Sequence, residues 1–125
     1  EQVLASMEVP AGWDEGLMRD VEGDVIEGIR SNLFLIRDGQ VMTPRLDTSG
    51  VAGIMREHLL GFGEVQQCTV TMSALVAATE MFVCNSVFGI HPVIELAVDT
   101  VNRRFDIGPV TRRFQQRLEA EIGRL

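Results

Sequence analysis

Short apolar runs interrupted by glycine, proline and acidic residues follow one another along this chain, a pattern of many brief strands with a few helices between them. Val3, Leu4 and Met7 share one helical face, so residues 1–9 are expected to be the last turns of a helix that stops at Pro10-Ala-Gly12. Residues 14–20 predict a strand, Glu22-Gly-Asp24 a hairpin turn, and the apolar run 25–36 a second, longer strand. Arg37-Asp-Gly39 is another hairpin signal and leads into a short strand over 40–43. Three strands joined by tight turns predict an antiparallel meander.

A helix is expected to begin near Gly53, carrying Ile54, Met55, Leu59 and Leu60 and stopping at Gly61-Phe-Gly63. Residues 64–70 read as a strand, and residues 73–78 as a short helix capped by Thr71. A buried strand over 80–84, an irregular loop over 85–92, and strands over 93–98 and 101–105 follow. Gly108-Pro109 sets up a terminal helix, because proline is tolerated in the first turn where its missing donor is not needed. On that helix Val110, Phe114, Leu118 and Ile122 recur every four residues, while Arg112, Arg113, Arg117, Glu119 and Glu121 form a solvated face.

Hairpins mixed irregularly with helices predict an α+β domain on an antiparallel or mixed sheet. With 125 residues and 46% apolar content, one domain with a real core is expected, and no apolar run is long enough to span a bilayer. A formal charge of −7 argues against nucleic-acid binding, which needs clustered positive charge. All 11 basic residues are arginine; lysine and tyrosine are absent. Cys68 and Cys84 lack metal-ligand spacing, which reads as reduced core thiols of a cytoplasmic protein with no metal site. The opening Glu1-Gln-Val-Leu4 has neither the basic region of a signal peptide nor an initiator methionine, and residues 1–125 are expected to be part of a longer polypeptide.

The segment Thr43-Pro-Arg-Leu-Asp47 followed by Gly50-Val-Ala-Gly-Ile-Met-Arg56 runs from a strand through a small-residue loop into a helix. Such a junction suits an anion, because the first backbone N–H groups of a helix have no intrahelical acceptor. The bland reading, a loop turning sharply into a packed helix, fits the same residues.

Together with Val25-Ile-Glu-Gly-Ile-Arg-Ser-Asn-Leu-Phe34, Cys84-Asn-Ser86, His91-Pro-Val93 and Gly108-Pro-Val-Thr-Arg112, these motifs resemble the C-terminal half of the fold-type IV pyridoxal-phosphate enzymes, nearest the aminodeoxychorismate lyases among them. The resemblance implies a sheet curled into a barrel-like core with flanking helices, residues 10–125 forming the cofactor-binding domain. It implies pyridoxal 5'-phosphate as cofactor and Glu27 beside its pyridine nitrogen. Asn32 would shape the wall behind the ring, Gly53, Ile54 and Met55 would offer backbone amides to the phosphate, and Asn85 and Ser86 would face phosphate and substrate. Arg56 would touch the phosphate or stabilise the helix start, and Arg30 and Arg45 are the local cations available to substrate carboxylates.

The resemblance further implies formation of 4-aminobenzoate and pyruvate in folate biosynthesis, a small anionic amine as substrate, and a homodimer. Its Schiff-base lysine would lie in the N-terminal half of the same enzyme, since this chain has none. Two other readings stay open: a branched-chain or D-amino-acid aminotransferase, and a non-catalytic fragment serving as a structural module.

Overall fold

Residues 3–9, 13–19, 23–28, 31–46, 53–98 and 101–122 are described by the computed structural model of the chain. In chain order they form β1 (Val3–Val9), β2 (Trp13–Arg19), β3 (Val25–Gly28), β4 (Asn32–Arg37), β5 (Gln40–Pro44), α1 (Ile54–Leu60) and β6 (Val65–Cys68). Then come α2 (Met72–Val76), β7 (Glu80–Asn85), β8 (Gly89–Pro92), β9 (Glu95–Val98), β10 (Val101–Arg104) and α3 (Pro109–Ile122). None of these helices is long and apolar enough to cross a membrane.

The strands make two five-stranded sheets, ordered β10-β9-β1-β2-β3 and β6-β5-β4-β7-β8. The α+β class is as expected, but the sheet is not closed into a barrel. The helix expected over residues 1–9 is also corrected: Val3–Val9 is a strand between β2 and β9, antiparallel to both. A helix so short is marginal by itself, whereas pairing on both sides satisfies the backbone donors and acceptors of β1.

The single strand expected over 25–36 is two strands in different sheets, because the chain changes sheets between Gly28 and Asn32. The meander is therefore interrupted: β2–β3 and β4–β5 are each antiparallel pairs, but in separate sheets. Asp38 and Gly39 both take positive φ, 53° and 77°, as the two-residue turn joining β4 to β5 requires. The loop expected over 85–92 holds a tight turn and then β8, whose Gly89–Pro92 backbone pairs with β7.

Side-chain alternation along β4 and β7 explains why both strands read as continuous apolar runs. Leu33, Leu35, Met81 and Val83 pack with Val25, Leu96 and Phe105 in a core that joins the two sheets. Phe34, Ile36, Phe82 and Cys84 face the other way, against Leu59 of α1 and Val110, Phe114 and Leu118 of α3. Phe34 and Phe82 stack with ring centroids 4.9 Å apart, and Phe114 leans on Phe82 at 5.5 Å. The second sheet is thus the middle of three layers.

Glu80 lies on the helix-facing side of β7, and its carboxylate accepts the N–H groups of Val110 at 3.2 Å and Thr111 at 2.8 Å. A buried carboxylate at the start of a helix satisfies orphan donors and favours the positive end of the dipole. Gly108 leaves the space this carboxylate fills, since a Cβ there would collide with Glu80.

Candidate functional site

The parallel pairing of β5 with β6 needs a crossover, and α1 supplies it. Its first turn therefore stands near the C-terminal end of β5. The registers Asn32↔Cys84, Pro44↔Cys68 and Asn85↔Gly89 bring the start of β4 and the ends of β5, β6 and β7 to that same end of the sheet. Most of the predicted site residues gather there.

Gly53 is the N-cap of α1 as expected, with φ −70° and ψ 157°. Its N–H donates to Asn32 Oδ1 at 3.2 Å, and a Cβ on Gly53 would stand 2.7 Å from that oxygen. Asn32, 6% exposed, thus pins the helix start to β4. The first intrahelical bond runs from Glu57 N–H to Gly53 O, so the amides of Ile54, Met55 and Arg56 have no intrahelical acceptor. With only seven residues in α1, these local N–H groups matter more than any macrodipole.

Asn85 ends β7 and closes its own turn: its Oδ1 accepts Val87 N–H at 2.9 Å and Phe88 N–H at 3.0 Å. Its side-chain oxygen therefore shapes the turn. That turn exposes Ser86 and leaves Val87 92% exposed. Met55 and Ser86 line one cleft of about 340 Å³ with Phe88, Ile90, Leu118 and Glu119. The large exposed apolar residues among those described are Ile54, Val87 and Ile122; the last two line this cleft and Ile54 adjoins Met55.

Arg56 is 3% exposed. Its Nη2 donates to Pro44 O at 3.1 Å and Gln67 Oε1 at 3.0 Å, and its Nη1 to Glu57 Oε2 at 2.9 Å. Burial pushes the Cys84 thiol up to about 12 against the opposing influence of the Arg56 guanidinium, so it stays a neutral thiol. Cys68 is raised by burial as well, with Arg45 opposing.

Glu27 sits half-buried on β3, opposite Met18 in the first sheet. It stands five positions before Asn32, which bounds their Cα atoms to about 18 Å. Arg45 is exposed and donates to Gln67 O at 3.3 Å. Arg30 lies outside the described residues. His58 meets Glu121 of α3, and His91 stacks on Phe88. Sequence reasoning missed the bonds from Arg56 to Pro44 and Gln67 and the Asn32–Gly53 bond, whose partners lie 11 to 21 positions apart.

A layered α+β chain in which the end of one strand and the start of a helix meet at one end of a sheet is the class this geometry defines. The chain belongs to the amino-transferase class IV family, whose model matches residues 1–96. It is 37% identical to the aminodeoxychorismate lyase of Vibrio harveyi over 94% of this chain and 46% of that protein. The crystal structure of 4-amino-4-deoxychorismate lyase from Pseudomonas aeruginosa superposes with a TM-score of 0.77 at 42% identity, covering 90% of this chain and 42% of that one. An aminotransferase from Brucella abortus bound to the cofactor PLP superposes at 0.76 and 29% identity, over 89% and 40%. The chain spans less than half the length of each.

Proposed function

We propose that this chain is the cofactor-binding part of a pyridoxal-phosphate enzyme that cleaves 4-amino-4-deoxychorismate to 4-aminobenzoate and pyruvate. The convergence of the residue 53–55 turn and Ser86 at one sheet end carries the cofactor reading. The residues present fit a phosphate. Gly53 has no room for a side chain, the next two amides lack intrahelical acceptors, and the Ser86 hydroxyl is exposed on the cleft that Met55 lines.

Bound there, pyridoxal phosphate would supply an electron sink for the carbon that loses its proton. In this reading the amides of Gly53, Ile54 and Met55 hold the phosphate, although the Gly53 N–H is already shared with Asn32. Ser86 adds a hydroxyl, and Asn85 keeps the turn that presents it. Glu27, as an ionised carboxylate, keeps a proton on the pyridine nitrogen. Asn32 orients the phosphate turn through the bond it accepts from Gly53 N–H, besides shaping the wall behind the ring. Arg30 and Arg45 are the cations offered to the substrate's carboxylates.

The overall reaction removes a proton from the amine-bearing ring carbon and breaks the ether bond to the enolpyruvyl group, which leaves as pyruvate. A lysine from another part of the polypeptide moves that proton, since no residue here can take its place by Schiff-base chemistry. The lyase assignment rests on the identities of 37% and 42% to lyases. A class IV aminotransferase of branched-chain or D-amino acids is the second reading: the likeness to the Brucella abortus enzyme supports an aminotransferase, and 33% identity to the branched-chain-amino-acid aminotransferase of Salmonella typhimurium supports the first of those substrate classes.

Incubating the full-length polypeptide with pyridoxal phosphate and 4-amino-4-deoxychorismate separates the two. Pyruvate and 4-aminobenzoate without an added amino acceptor support the lyase. Turnover only with a 2-oxo acid and an amino acid supports the aminotransferase and sinks the lyase. Borohydride reduction followed by peptide mapping should find the cofactor on a lysine outside residues 1–125; failure to retain any cofactor would defeat both readings.

A further inference from the structure

We propose that Arg56 is a positioning residue: it fixes the turn at residues 53–55 against the end of β5 and does not itself grip the ligand. This rests on the reading of that turn as the phosphate site. Pro44 is the C-terminal end of β5 and Ile54 the N-terminal end of α1. Arg56, in the first turn of α1, donates back to the Pro44 carbonyl and thereby ties the two ends together. Its second acceptor, Gln67 Oε1, belongs to β6, which Arg45 N–H and guanidinium also hold through Cys68 O and Gln67 O. The helix start is thus registered against two strands on one side and, through Asn32, against β4 on the other.

A guanidinium suits this task because its planar fork reaches several fixed acceptors at once, while an ammonium carries equal charge without that geometry. Both terminal nitrogens of Arg56 are engaged by protein oxygens. Its Nε–H is buried without an acceptor among the described residues, so a direct contact with phosphate is the competing account.

The test compares affinities for pyridoxal phosphate and for pyridoxal, which lacks the phosphate, in the full-length polypeptide. Their ratio isolates the phosphate turn from the rest of the cofactor site. Arg56→Lys keeps the charge and should weaken pyridoxal phosphate about tenfold, roughly 1.4 kcal/mol, with pyridoxal changed less than about twofold. Gln67 is exposed, so Gln67→Ala should fold normally. It should lower the same ratio by about threefold, as expected for one lost anchoring bond.

A ratio lowered by both variants supports the proposal. A ratio lowered by Arg56→Lys but untouched by Gln67→Ala overturns it in favour of direct contact. A ratio unchanged in both also overturns it. Leu75→Ala, in the core between the sheets, should lower stability and leave the ratio alone; a ratio that simply follows stability would show Arg56 to be ordinary scaffolding. Should the unsubstituted protein bind neither compound, the cofactor reading itself fails, an outcome distinct from loss of the Arg56 effect alone.

Discussion

Adding one methyl group at Gly53 probes the contact on which the candidate site is built. The backbone of Gly53, at φ −70° and ψ 157°, is open to any residue, so Gly53→Ala introduces no backbone strain. Its Cβ would lie 2.7 Å from Asn32 Oδ1, forcing the carboxamide to swing away from the Gly53 N–H it accepts at 3.2 Å. Losing a largely buried hydrogen bond, together with the poorer N-cap, should cost about 1–3 kcal/mol. Asn32→Ala removes the same bond and should cost about 1–2 kcal/mol. In the double variant the obstacle is gone: among the described residues the one other atom within 4 Å of that Cβ is Asn32 Cγ, at 3.9 Å. The two costs should therefore be non-additive by about 1 kcal/mol. Urea unfolding of the four proteins of the cycle gives the coupling energy, and titration with pyridoxal phosphate should show a matching loss in each single variant. Costs that add to within about 0.5 kcal/mol would refute the contact as the element that holds the turn.

Glu80→Gln replaces one accepting oxygen by an amide that opposes a helix N–H; it should destabilise the protein by about 1–3 kcal/mol, and an unchanged Tm would count against Glu80 as the cap of α3. Cys84 is protonated in the fold up to about pH 12 but loses its proton near its ordinary value of 9.0 when unfolded. Between those values the native state binds more protons, so stability should be intact below pH 9 and fall as pH rises from 9 toward 12, with a slope of at most about 1.4 kcal/mol per unit from this one group. With no lysine or tyrosine in the chain, Cys84→Ala should remove most of that slope in urea unfolding of residues 1–125 where they fold alone; an unaltered slope would contradict the assignment. In the full-length polypeptide, Glu27→Gln should cut turnover far more than cofactor retention, because a neutral carboxamide cannot hold the pyridine nitrogen protonated. Equal losses in the two assays would remove Glu27 from that role.

Features encoded within a few neighbouring residues were legible in the sequence. Asp38-Gly39 meets the positive φ values of its hairpin, Thr71 Oγ1 accepts Ala74 N–H at the start of α2, Gly53 caps α1, and Pro109 opens α3. The family motifs were legible for the same reason, since each is a short run of residues. The tertiary structure decided what depends on distant partners. Val3–Val9 is a strand because β2 and β9 flank it, β3 and β4 part into two sheets, and Gly89–Pro92 pairs with β7. Asn32 reaches Gly53 across 21 positions, Arg56 reaches Pro44 and Gln67, and Glu80 reaches the start of α3 across 30. A turn or a cap is set by local dihedral preferences and by donors a few bonds away, so composition reveals it. A strand's partner, or the acceptor of a buried side chain, is chosen by which surfaces meet when the core closes, and nothing in the local sequence names it.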